Sequence, residues 1–388
     1  MPPFSRALVV TVVVLVGTLA LRADGEKAAP PAWNAAAAAS YLDARMDVWW
    51  QKAKPLKTGD AADVRCLSCH TAVPYALVRP ALRRVMGQAA PTAHEERLLG
   101  IVRQRVAHAA TQQPYYDHTE AKKVESRGVE AVLNALVLTQ YDTLGRSGMG
   151  SDASRAAIAR LWDVQRPDGA WDWLNFGLEP YEANDAVFHG ATLAALAAGT
   201  SAGQHASKDA AGQAGLQRLR AYLGGHAGAQ RLFNKAWALL AAAQLQGVLA
   251  APARDAIVAE LEKAQRADGG WSMADLGPWR WTKEGAPFAP PGTTDAALLG
   301  AADGYATGLV VHALRRSGLA ADRPSIAKGL AWLTAHQRPY DAADPASAPW
   351  RAHSLNFDRE HGGEKGEPWR RMFMSDLATA FAALALTD

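Results

Sequence analysis

The feature that most constrains this fold is a string written twice. Ile158–Trp171 reads IARLWDVQRPDGAW and Val258–Trp271 reads VAELEKAQRADGGW, so Gln165 and Gln265 stand one hundred residues apart. Each glutamine is followed by Asp-Gly-x-Trp and closes an amphipathic helical pattern. An Asp-Gly pair at that point ends the helix and turns the chain. The tryptophan is then expected to fold back on the helix it follows, while the glutamine bonds backbone groups that the turn frees. A third copy, Gly329–Pro339, keeps Gln337 and then diverges, with Trp350 as the displaced aromatic. Gly215–Leu223 is a degenerate copy that lacks the glutamine. Such a repeat is one supersecondary unit, unable to bury its apolar face except against its neighbours.

The segments around these copies carry helical apolar spacing and almost no alternation of period two. Helices are expected over 94–109, 127–142, 152–165, 183–198, 213–223, 230–248, 252–266, 304–318, 324–337 and 373–387, which makes five consecutive hairpins. A further helix is expected at 41–53. Ala191–Ala198 (ATLAALAA) and Ala236–Ala243 (AWALLAAA) are apolar nearly all round, as inner helices buried on both sides would be. Pro252–Gln265 is amphipathic and suits an outer ring. Composition agrees: 49% hydrophobic with 20% charged residues excludes disorder, and 41 Lys+Arg against 38 Asp+Glu speaks against a nucleic-acid binder. The fold class expected is all-α, with five to six helical hairpins.

These Gln…Gly-x-Trp strings resemble the QW motifs of the squalene/hopene cyclase and protein prenyltransferase superfamily. Asp303-Gly304-Tyr305-Ala306-Thr307-Gly308-Leu309 and Ser375-Asp376-Leu377-Ala378-Thr379-Ala380 are similar to inner helices of that family. The resemblance covers about residues 94–388 and implies an α/α toroid. Its class II cyclases protonate an alkene with the central acid of an Asp-x-Asp-Asp-type motif. The counterpart here is Glu182-Ala183-Asn184-Asp185, with Asn184 where a carboxyl is expected. Glu182, Asp185, Asp303 and Asp376 are thus weak catalytic candidates, and acids that merely favour helix N-termini are the competing reading. The prenyltransferases use an Asp-Cys-His zinc set, but both cysteines here fall in a Cys-x-x-Cys-His string, and an Asp-rich magnesium motif is missing from the sequence. Glu130, Asn134, His189, Tyr305 and His312 join Asp303 and Asp376 as polar residues expected to line one end of the toroid.

Both cysteines of the chain lie in Cys66-Leu67-Ser68-Cys69-His70. Cys-x-x-Cys-His is the c-type haem attachment pattern. Two thiols three residues apart add to the two haem vinyl groups, and the adjacent imidazole serves as proximal iron ligand. Two other readings stay open: a Cys66–Cys69 disulfide or thiol pair, and a metal site. No strand pattern precedes Cys66, as a thioredoxin-like context would need, and no further cysteine completes a zinc set. Met86, in the apolar pattern Val78–Met86, is the nearest candidate for the distal iron ligand, with core packing as its ordinary role. His94, His108 and His118 are alternatives. Trp49 and Trp50 are expected to pack near the motif.

Residues 1–23 read as an export signal, with Arg6 ahead of the run Ala7–Leu21 and Arg22 closing it. Fifteen residues at about 1.5 Å each fall short of a bilayer of about 30 Å, although an uncleaved anchor remains an alternative. Three parts are therefore expected: a signal at 1–23, a c-type haem-attachment segment at 24–93, and a toroid at 94–388. The expected protein is periplasmic or secreted, carries covalent haem c, and couples redox chemistry to an apolar small molecule or a redox partner protein. No nucleic acid and no membrane span after signal removal are expected. The alternatives are a non-redox terpenoid cyclase-type enzyme using Asp185 or Glu182, and a toroid binding module with a Cys66–Cys69 disulfide.

Overall fold

A computed structural model of the chain describes residues 33–58, 61–67, 69–144, 150–293, 295–339, 346–356, 370 and 372–388. The expected export segment at 1–23 lies outside them. The helices, in chain order, are α1 (Ala35–Lys52), α2 (Ala72–Val85), α3 (Ala93–Ala107), α4 (Glu120–Leu144), α5 (Asp152–Asp163), α6 (Ala186–Gly199) and α7 (Ser201–Ala206). They continue with α8 (Ala210–His226), α9 (Leu232–Gln244), α10 (Ala251–Lys263), α11 (Ala296–Gly300), α12 (Gly304–Arg316), α13 (Pro324–His336) and α14 (Phe373–Thr387). Side-chain caps set many of their starts. Asn34 accepts from the Ala37 N–H at 2.9 Å, and Thr92 with Glu95 forms a reciprocal capping box on α3.

The long helices form two concentric layers. Helices α2, α4, α6, α9, α12 and α14 each pack on the next, and α14 packs back on α2, so the inner ring closes. Helices α1, α3, α5, α8, α10 and α13 lie outside it, each against the inner helix that follows or precedes it in the ring. The two Ala-rich segments singled out from sequence are inner helices α6 and α9, and the amphipathic 252–265 stretch is outer helix α10. Small side chains let the backbones approach: a Cβ on Gly308 of α12 would lie 2.5 Å from the Ala382 nitrogen of α14. Ala296–Arg316 has the length and hydropathy of a membrane crossing, and its α12 portion is buried between α9 and α14. The protein is an all-α toroid.

The Gln/Trp strings form the joints between outer helices. Trp171, Trp271 and Trp350 are completely buried and donate their indole N–H to Leu161, Leu261 and Leu333, in each case the carbonyl four residues before the repeat glutamine. Trp350 therefore does replace the aromatic that the third copy lacks at its usual spacing. The glutamine amides bond their own turn and the next outer helix. Gln165 donates to the Gly169 and Gly215 carbonyls, Gln265 to Gly269 and Ser325, and Gln337 to Ala348 and Asn34. Gly169 has φ +98°, and a Cβ there would stand 2.3 Å from the Arg218 carbonyl oxygen, so the Asp-Gly turn demands glycine.

Gln337 reaches Asn34, the cap of α1, and that contact changes the domain organisation. The boundary drawn at 93/94 separates nothing in the structure, because residues 32–388 form one compact unit. Helices α1 and α2 are the sixth hairpin of the ring rather than a separate haem segment preceding it. The sequence concealed this because the joint between α13 and α1 is made by residues about 300 positions apart. A short antiparallel hairpin, β1 (Leu56–Thr58) with β2 (Ala61–Val64), connects α1 to the Cys-x-x-Cys-His turn. A strand thus does precede Cys66, contrary to the expectation from sequence. It is too short to show alternation, and among the described residues it belongs to a two-stranded sheet with no βαβ crossover.

Candidate functional site at the mouth of the inner ring

All six inner helices run in the same direction. Residues that lead into α2, α4 and α6, or start α14, line a cavity at one mouth, and residues toward the ends of α2, α4, α6, α9, α12 and α14 line a pocket at the other. The mouth formed by the N-termini has a volume of about 270 Å³. Its walls include Trp49, Cys66, Leu67, Cys69, His70, Tyr115, Val129, Leu174, Phe373 and Met374, with Glu179, Glu182 and Arg370 as charged residues. The aligned helix N-termini favour negative charge at this end, which accounts for the number of acids gathered there.

The Cys-x-x-Cys-His turn is positioned by three outside contacts. Trp49 donates its indole N–H to the Cys66 carbonyl at 3.2 Å, Arg65 donates from Nε to the Trp50 carbonyl at 3.1 Å, and the Leu67 N–H reaches the Tyr115 hydroxyl at 3.3 Å. Cys66 and Cys69 carry free thiols, both on the cavity wall. Burial, reinforced by the Glu182 charge, pushes the Cys66 thiol up to about 12 and raises Cys69 as well. Thiols held protonated at neutral pH are poor thiolate nucleophiles, unlike the low-pKa pair of a disulfide oxidoreductase. His70 completes the wall. Phe373 stacks on its ring with centroids 3.5 Å apart, and Trp49 meets it edge-on at 5.6 Å. An imidazole binds iron in its own plane through a nitrogen, so packing on its faces sets the direction of the ring.

The remaining candidates disperse. Met86 caps the C-terminal end of α2, about 21 Å along a 14-residue helix from His70, so it lies at the far end of α2 and not on the cavity wall. The thioether that does line the cavity is Met374, at the start of α14, which sequence proximity to His70 gave no reason to consider. His94 stacks on Trp50 and pairs with Asp47 in the outer layer, and exposed His108 caps the end of α3. His118 lies by Tyr116 and Phe176, of which Tyr116 belongs to the cavity rim. Of the two adjacent tryptophans, only Trp49 faces the motif.

Among the weak catalytic candidates, Glu182 alone lines the cavity. Asp185 accepts from Arg231 at 2.6 Å and from Asn234 at 3.0 Å. Asp303 caps α12, accepting from the Tyr305 and Ala306 N–H groups and from Met273, and burial raises its carboxyl to about 6. Asp376 is wholly buried in bonds to Arg45, Tyr41 and Thr71. Glu130 is tied to Arg105, which also holds the β1 residue Thr58. The polar set expected at one end does not share one. His312 pairs with Asp388 at the far mouth, whereas His189 lies in the core between the two mouths, only 1% exposed, among Tyr181, Phe233 and Trp237. Tyr305 is also buried there and shares a hydroxyl–hydroxyl bond with Tyr181.

No protein-family model matches this chain, and no curated protein matches it. Among solved structures, the fold is similar to that of an unsaturated glucuronyl hydrolase, an Asp-to-Asn variant recorded with dGlcA-Glc-Rha-Glc. The match has a TM-score of 0.50 and 13% sequence identity, and it covers 91% of this chain and 95% of that one. At that identity the likeness is one of fold, the α/α toroid.

Proposed function

We propose that this chain is an exported c-type haem protein built on a squalene-cyclase-like toroid, with its haem at the N-terminal mouth of the inner ring. The observation that carries the proposal is the convergence of Cys66, Cys69 and His70 on one cavity with apolar and aromatic walls. Cys66 and Cys69 would hold the group by thioether bonds, His70 would be its proximal iron ligand, and Met374, in place of Met86, its distal one. Bound haem supplies one-electron redox chemistry. The protein would exclude water from it with Trp49, Leu67, Val129, Leu174 and Phe373, and Arg370 is a cation on the same wall. The role is electron transfer or redox chemistry linked to an apolar ligand or a partner protein at the same mouth. Export through residues 1–23 would deliver the chain to the compartment where covalent haem attachment occurs.

The test is expression in a host with cytochrome maturation, followed by pyridine haemochrome spectroscopy. The proposal expects one haem per chain, lost in the Cys66→Ala/Cys69→Ala double variant. A wild-type protein without a haemochrome band would refute it. A second reading, a terpenoid cyclase-type acid catalyst, rests on the place of Glu182 in the cavity wall. It expects product from a polyprenyl or triterpene substrate that disappears in Glu182→Gln and is indifferent to Cys66→Ala.

A further inference from the structure

Thr71 opens α2 without capping it: its side chain makes no bond to the helix N–H groups. Its hydroxyl instead lies between two side chains, 3.1 Å from Nδ1 of His70 and 2.7 Å from Oδ2 of Asp376. Asp376 is 0% exposed, and its other partners are all donors, the Tyr41 hydroxyl at 2.8 Å and Nε and Nη2 of Arg45 at 2.7 and 3.1 Å. A carboxylate paired with a guanidinium only accepts, so the single Thr71 proton goes to Asp376. The Thr71 oxygen then accepts from His70, which fixes the proton on Nδ1 and the lone pair on Nε2. Histidines that ligate metals are held in this way, their second nitrogen donating to a carboxylate or its equivalent.

We infer that Thr71 and Asp376 are positioning residues for His70, a hydroxyl-to-carboxylate relay that sets its tautomer, its orientation and its strength as an iron ligand. The inference rests on the haem reading above for its iron, but the tautomer itself does not depend on haem. The relay also gives the ring closure a chemical purpose. Asp376 comes from the last inner helix, Arg45 and Tyr41 from the first outer one, and they meet behind the motif only because α14 returns to α2.

The experiment compares Thr71→Val, which keeps the shape and removes the hydroxyl, with Thr71→Ser, which restores it. In the haem-loaded Met374→Ala background, where the reduced iron lacks its distal ligand, Thr71→Val is expected to shift the iron–histidine stretching band to lower frequency, and in the otherwise wild-type haem protein to move the midpoint potential upward, because the imidazole becomes a weaker donor. Thr71→Ser is expected to return both toward the values seen with Thr71. A haem protein in which neither quantity moves overturns the relay while leaving the haem reading intact. A wild-type chain that takes up no haem overturns the haem reading and the ligand role of the relay with it. The tautomer is read separately in the haem-free Cys66→Ala/Cys69→Ala protein by ¹⁵N NMR of its histidines. A His70 protonated on Nδ1 supports the relay, and a His70 protonated on Nε2 overturns it whether or not haem binds.

Discussion

Arg45 and Asp376, 331 positions apart in the chain, form a buried two-point ion pair, with Nε to Oδ1 at 2.7 Å and Nη2 to Oδ2 at 3.1 Å. The pair fastens the first outer helix to the last inner one and so closes the toroid. Replacing one partner leaves the other charge stranded away from water. Arg45→Met, which keeps much of the stem's packing, is expected to cost about 3–5 kcal/mol of stability, measured by urea unfolding. A cost below about 1 kcal/mol would mean that the ring closes without this pair.

Trp350 and Gln337 make the same joint by different means, and their substitutions should separate. Trp350→Ala empties a fully buried site and removes the bond to the Leu333 carbonyl, for an expected loss of about 3–5 kcal/mol. Gln337→Ala removes amide bonds to Ala348 and Asn34 at a partly exposed site, for about 1 kcal/mol in total. Because one of those bonds holds the start of α1, limited proteolysis of Gln337→Ala is expected to open the chain near residue 34 before any cut within the inner ring.

Acid should weaken the fold through His189. Burial lowers its imidazole to about 3, whereas the unfolded chain protonates near 6.5. Between those values the unfolded state holds one more proton, so stability falls as pH drops through the window, by about 1.4 kcal/mol per unit from this group. His189→Leu is expected to flatten the pH dependence of the urea midpoint between pH 6.5 and pH 4.5. An unchanged slope would contradict a neutral, buried His189.

The two methionines offer a local check on the site. Met374→Ala is expected to change the visible spectrum of the reduced haem protein, as loss of a thioether ligand does, and Met86→Ala to leave it unaltered. The reverse result would move the distal ligand to the far end of α2 and break the assignment of the cavity.

Much of the architecture was legible because it is written in local periodicity. The ten helices from residue 94 onward, the inner character of α6 and α9, and the role of Trp350 follow from spacing within a helix and its turn. What stayed hidden depends on contacts across the ring. The hairpin α1–α2 looked like a separate haem segment because its neighbours, α14 and Asn34's partner Gln337, stand near the other end of the chain. Asp376 looked like a catalytic candidate because an acid at a helix start is ambiguous. Only the positions of Arg45, Tyr41 and Thr71 show its bonds to be satisfied. Met374 carried no signal at all, since no periodicity tells which thioether faces a motif 304 positions away.

The central claim is that Cys66 and Cys69 bind haem covalently at the mouth of the toroid. The most direct measurement is the intact mass of the protein purified from a host with cytochrome maturation, compared with the Cys66→Ala/Cys69→Ala variant. The account predicts that the wild-type chain exceeds its sequence mass, after any signal removal, by one haem, and that the variant does not. A wild-type chain at its sequence mass, or about two hydrogens below it as a Cys66–Cys69 disulfide would be, would contradict the account.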